Sequence, residues 1–89
     1  MAKAAYSEQE ILDILLDITE SLVPDVDRSK ITMNSVISRD IGADSMTLVM
    51  MITKVEATLG IKFPDRGWDK LQTVGDVVKL AEKQLKKKK

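Results

Sequence analysis

A small all-α fold is the architecture this 89-residue sequence predicts, and three features carry that expectation. Apolar residues recur at helical spacing in three separate stretches. Capping or breaking residues bound those stretches. No stretch competes with a strand pattern. The expected fold is a four-helix bundle of three main helices and one short one, with a long loop between helices 1 and 2.

The first helix starts at a capping box. Ser7 stands at the N-cap and Glu10 three residues on, so each can satisfy a free N–H of the other's backbone. Ile11, Leu15, Ile18 and Leu22 then form one stripe, with Asp13, Asp17 and Glu20 between them. The helix ends near Val23, because Pro24 disfavours helical backbone in the residue before it. Residues 24–44 show no long period. Ile31, Met33, Val36, Ile37 and Ile41 are apolar but irregularly spaced, which suits a crossover lying on the bundle, with a turn of helix near Val36 to Asp40. Loops of this length are often functional.

The second main helix is expected from Ser45 to about Leu59, stopped by Gly60. Leu48, Met51, Ile52, Val55 and Leu59 make its buried face. Met46, Val49 and Met50 remain as a second apolar stripe beside Ser45. Either the long loop covers that stripe, or it is an exposed docking surface. Ile61 to Pro64 reads as an extended connection, and Asp65 to Leu71 as the short helix or a turn. Thr73 to Asp76 starts the last helix, in which Val74, Val77, Val78, Ala81 and Leu85 repeat the spacing of the second. Residues 1–6 are expected as an N-terminal extension, 7–85 as the folded domain, and 86–89 as a disordered lysine tail.

Composition narrows the function. The chain has no cysteine and no histidine, which removes thiol chemistry, Ser-His nucleophilic catalysis and the usual zinc sites. Tyr6, Phe63 and Trp68 are the only aromatic residues, too few for a base-stacking nucleic-acid surface. Net charge is zero, with acids gathered before Ser45 and lysines after it. No apolar run approaches the roughly 20 residues of a membrane span, and a cytoplasmic location is expected. The acid pairs Asp13/Asp17, Asp40/Asp44 and Asp65/Asp69 lie in polar stretches, where their pKa values have no cleft to shift them. A carrier, binding or scaffold role is the natural class, without catalytic apparatus.

The most informative stretch is Ile41-Gly42-Ala43-Asp44-Ser45-Met46. Gly42 allows a sharp turn. Asp44 is a good N-cap, and Ser45 follows as the first helical residue with its hydroxyl pointing outward. By itself this is an ordinary helix start. A phosphate on Ser45 would sit at the positive end of the helix dipole.

Gly42-Ala43-Asp44-Ser45-Met46 resembles the Gly-x-Asp-Ser-Leu motif of acyl carrier proteins. The similarity runs from about Ser7 to Leu85, and includes Gly60-Ile61-Lys62-Phe63-Pro64-Asp65 and Leu71-Gln72-Thr73-Val74. The resemblance implies a 4′-phosphopantetheine arm on Ser45, installed from coenzyme A by a phosphopantetheinyl transferase that recognises Asp44. It implies acyl groups carried as thioesters on the arm's thiol, and acyl-transferring, synthase or ligase enzymes as partners. A monomer is expected, since the buried faces can satisfy one another. Leu48, Met51, Ile52, Phe63, Trp68 and Leu71 are the candidates for a pocket that shields the acyl chain.

Departures from the family pattern matter. Met46 replaces the usual leucine, as in D-alanyl carriers, which this sequence resembles at that position. Thr47 and Met50 stand where acids are usual, leaving Asp44 and Glu56 opposed by Lys54. Docking is therefore expected through Met46, Val49 and Met50 more than through charge. Trp68 is bulky where the family often has a small residue, and is expected near the pocket mouth. Fatty-acid, specialised lipid and polyketide synthesis, aminoacyl or peptidyl carriage, and an unmodified helical adaptor all remain open at this point.

Overall fold

The computed structural model describes residues 6–64 and 70–87. Three helices dominate: α1 over Glu8–Leu22, α2 over Ser45–Leu59 and α3 over Val74–Lys87. α1 packs against both α2 and α3. The described residues contain no strand beyond one isolated antiparallel bridge, Val36 with Thr73. The small helical fold expected from the periodicity is the one observed. The proposed short helix over Asp65 to Leu71 falls mostly outside the described residues, as does Trp68.

α1 begins at the expected capping box. The Glu10 N–H donates to Ser7 Oγ at 3.1 Å, and the Ser7 N–H donates to Glu10 Oε1 at 2.9 Å. Its inner face buries Ile11, Leu15 and Leu16. Thr19 is buried beside them, and its hydroxyl donates to the Leu15 carbonyl, so no polar group is left bare.

The crossover after α1 is ordered by polar staples. A single 3-10 turn, Arg28–Lys30, is capped by Asp27, which accepts from the Ser29 N–H. Arg28 reaches back to α1 and donates to Asp17 at 2.6 Å and Glu20 at 2.8 Å. Further on, Ile37–Ile41 forms one π turn, not the ordinary helical turn that the sequence suggests there. Gly42 closes it at φ +79°, a left-handed conformation that residues with a side chain rarely adopt. Asp40 fastens the turn by accepting from the Val36 N–H at 2.7 Å.

Main-chain bonds tie this crossover to the start of α3. Ile37 N–H donates to Gln72 O, Val74 N–H to Ser35 O, and Gly75 N–H to Met33 O, at 2.8, 2.9 and 2.8 Å. A Cβ on Gly75 would lie 2.8 Å from the Met33 oxygen, so only glycine permits the approach. The last helix starts where expected, and Thr73 and Asp76 cap it reciprocally.

The core is one continuous cluster. α2 contributes Met51, Ile52, Val55 and Leu59; α3 contributes Val74, Val77, Val78, Ala81 and Leu85. Both faces match the predicted positions, with Leu48 half-buried at the edge. After Gly60 the chain turns back and Phe63 plugs the core at 1% exposure. Glu56 holds that return by accepting from the Phe63 N–H at 2.6 Å.

Candidate functional site

The π turn and Gly42 deliver the chain into the N-terminus of α2. Asp44 takes the N-cap with extended backbone, φ −81° and ψ −177°, and its Oδ1 accepts from the Thr47 N–H at 2.9 Å. That hydrogen bond is the main reason its carboxyl is held below the ordinary carboxylate range, so Asp44 is an anion at neutral pH. Ala43, just before it, is buried and anchors the cap to the core.

Ser45 occupies the first helical position and is exposed. Its hydroxyl has no hydrogen-bond partner among the described residues. A free hydroxyl here is a donor and an acceptor pointing at solvent, with helix N–H groups behind it. An anionic ester on this oxygen would meet the positive end of a 15-residue helix.

The second stripe of α2 settles into solvent. Met46 is 76% exposed, Met50 46% and Val49 41%, and these are the large apolar side chains exposed among the described residues. Of the two readings of this stripe, cover by the crossover is therefore excluded. Ser45 sits at one end of an apolar patch with one anion, Asp44, beside it. Glu56 behaves differently from what the sequence suggests. It looks like a surface acid of α2, yet its carboxylate is spent on the Phe63 N–H.

The pocket candidates come together in part. Met51, Ile52, Phe63 and Leu71 are buried in the one core cluster, and Leu48 packs on its edge. Trp68 lies outside the described residues. Among the described residues no group of His, Cys, Asp and Glu could hold a metal ion, and no helix is long and apolar enough to cross a membrane. The sequence reading missed Ser35, a buried serine in the crossover. The sequence Thr32-Met33-Asn34-Ser35-Val36 mixes polar and apolar residues and gives no signal that Ser35 in particular is buried.

Residues 9–81 match the family model described as "Phosphopantetheine attachment site". The chain belongs to the acyl carrier protein family. An acyl carrier protein from Helicobacter acinonychis is 41% identical over 70 residues, covering 79% of this chain and 87% of the relative. One from Thermotoga maritima is 40% identical over 60 residues, covering 67% and 74%. One from Lactobacillus johnsonii is 36% identical over 72 residues, covering 81% and 89%.

Membership brings a covalently attached 4′-phosphopantetheine, and carriage in place of catalysis as the family's role. The residues present fit that group. The exposed, unpartnered Ser45 hydroxyl at a helix N-terminus offers an oxygen to esterify and a dipole that favours the phosphate. The cofactor supplies the thiol that this cysteine-free chain lacks.

Proposed function

We propose that Ser45 Oγ is the attachment point of the arm, and that the protein carries acyl intermediates as thioesters for fatty-acid, specialised lipid or polyketide synthesis in the cytoplasm. The observation that carries this is the free, exposed hydroxyl at the first position of α2, inside Gly42-Ala43-Asp44-Ser45-Met46. Ser45 Oγ would form the new phosphate ester as coenzyme A gives up its nucleotide half, and the hydroxyl proton would pass to the transferase. Asp44, already oriented by its bond to Thr47, is the recognition anion beside the reacting oxygen.

Partner enzymes dock on Met46, Val49 and Met50. Their exposure supports this, together with the scarcity of charge on the same surface. Leu48, Met51, Ile52, Phe63 and Leu71 surround the site that shields the acyl chain; Trp68, expected near its mouth, lies outside the described residues. Burying eight methylenes there would contribute up to about 6 kcal/mol at about 0.8 kcal/mol per CH₂. The protein works as a monomer in this reading: the core faces of α1, α2 and α3 are buried against one another, and the exposed stripe of α2 is left for partner enzymes.

Intact mass after incubation with a transferase and coenzyme A tests the attachment. An added mass of about 340 Da, from the cofactor's own chemistry, is expected and disappears in Ser45→Ala. An unmodified wild-type chain would leave only a helical adaptor. An aminoacyl or peptidyl cargo is the second reading, favoured by Met46 at the position after the serine. Thioesters isolated from the native cell decide between the two.

A further inference from the structure

A groove of about 510 Å³ opens between the end of α1, the crossover and the π turn. That volume lies within the range of small-ligand sites. Its apolar walls are Val23, Val26, Ile31 and Ile41. It is separate from the residues assigned above to the acyl chain. Ile41 lies four residues before Ser45, so the two α-carbons are within about 14 Å, the span of four extended residues. An extended phosphopantetheine arm is longer than that.

The lining is mixed in a way that excludes an alkyl chain. Lys30 lines the groove together with the carboxylates of Asp25, Asp27 and Asp40, and its charge acts on Asp27. Ser35 lines it too and is only 7% exposed. Its oxygen accepts from the Thr32 N–H at 2.9 Å, but its own proton has no acceptor among the described residues. A buried hydroxyl proton without an acceptor needs an explanation. An alkyl guest would strip water from these groups and return nothing. Pantetheine alternates amides and a hydroxyl with a pair of methyl groups, which matches carboxylate, ammonium and hydroxyl set among valine and isoleucine.

We propose that this groove is the resting site of the arm carried by Ser45, with Ser35 and Lys30 meeting its oxygens and Val26 and Ile31 its methyl groups. The inference rests on the attachment proposed above. A docked arm would hold its thiol against the carrier between encounters, and a partner gripping Met46 and Met50 would compete with the groove for it.

The test compares apo protein with protein loaded from coenzyme A, the loading checked by intact mass. Backbone amide shifts and contacts from the arm's protons are read by NMR. Expected are shifts at Val26, Ile31, Ser35 and Ile41, and contacts between the arm's methyl protons and Val26 or Ile31. Ser35→Ala and the exposed Lys30→Ala each cut the docked-to-free ratio about fivefold, the worth of one ordinary hydrogen bond. Circular dichroism checks that each variant is folded, and Lys30→Ala stands alone if Ser35→Ala is not. A loaded chain whose shifts stop at residues 42–48, with no contact to Val26 or Ile31, overturns the groove and leaves the attachment standing. A chain that stays at its apo mass overturns both.

Discussion

Replacing Met46, Val49 and Met50 together by serine removes the exposed apolar patch without touching the core. Full burial of a large apolar side chain contributes about 2 kcal/mol. Scaled by exposures of 76%, 41% and 46%, the three side chains can contribute about 3 kcal/mol to a partner that covers them. That corresponds to about a hundredfold in affinity. The transferase and one acyl-loading enzyme serve as partners, and KM for the carrier is measured from low to high ionic strength. The triple variant should raise KM by up to about a hundredfold, with folding stability within about 0.5 kcal/mol of wild type. The wild-type KM should change little with salt, because the first turn of α2 holds no acidic residue beyond its Asp44 cap, and the contact is mainly apolar. A wild-type KM that climbs steeply with salt, paired with an unaffected triple variant, would refute docking by the apolar stripe.

Three further outcomes follow from the packing. Glu56→Ala removes a charge-assisted bond to the Phe63 N–H, and should cost about 2 kcal/mol, read as a lower Tm. Gly75→Ala forces a Cβ against the Met33 carbonyl and should destabilise by about 1–3 kcal/mol in a denaturant titration, whereas Gly75→Ala with no loss would contradict the close approach. Asp27, Asp40 and Asp44 all have carboxyls held below their ordinary value of 3.8 by hydrogen bonds, from Ser29, Val36 and Thr47 respectively. A depressed native pKa gives stability that is complete above the unfolded value and is lost as pH falls below it. Tm should therefore hold from neutral pH to about 5 and drop in stronger acid, and Asp40→Asn should flatten that drop.

Much of the fold is legible in the residues themselves. The Ser7 and Glu10 pair marks the start of α1, and the repeated spacing of Leu48 to Leu59 and Val74 to Leu85 marks two buried faces. These signals are local, so a linear reading finds them. The crossover is different. Its π turn closes through a bond from the Gly42 N–H to the Ile37 carbonyl, five residues back, which leaves no apolar period. Its bridge to α3 joins Val36 to Thr73, residues far apart in sequence. Ser45 and Asp44 were readable from caps and motif, but whether Met46, Val49 and Met50 were covered depended on where the crossover ran. Glu56 illustrates the same limit. A carboxylate at a helix surface position looks free until the chain after Gly60 folds back on it.

The seam between the crossover and α3 is made of amides alone. Such a seam does not depend on which side chains its donors and acceptors carry. Ile37 and Val74 are buried in the core and tolerate only apolar side chains of similar volume, but the donors and acceptors of the seam belong to the main chain and persist through such exchanges. Two kinds of change are barred: any Cβ at Gly75, and proline at 37 or 74, which would delete a donor. The position of the serine-bearing helix is thus insulated from volume-conserving substitution along the segment that leads to it.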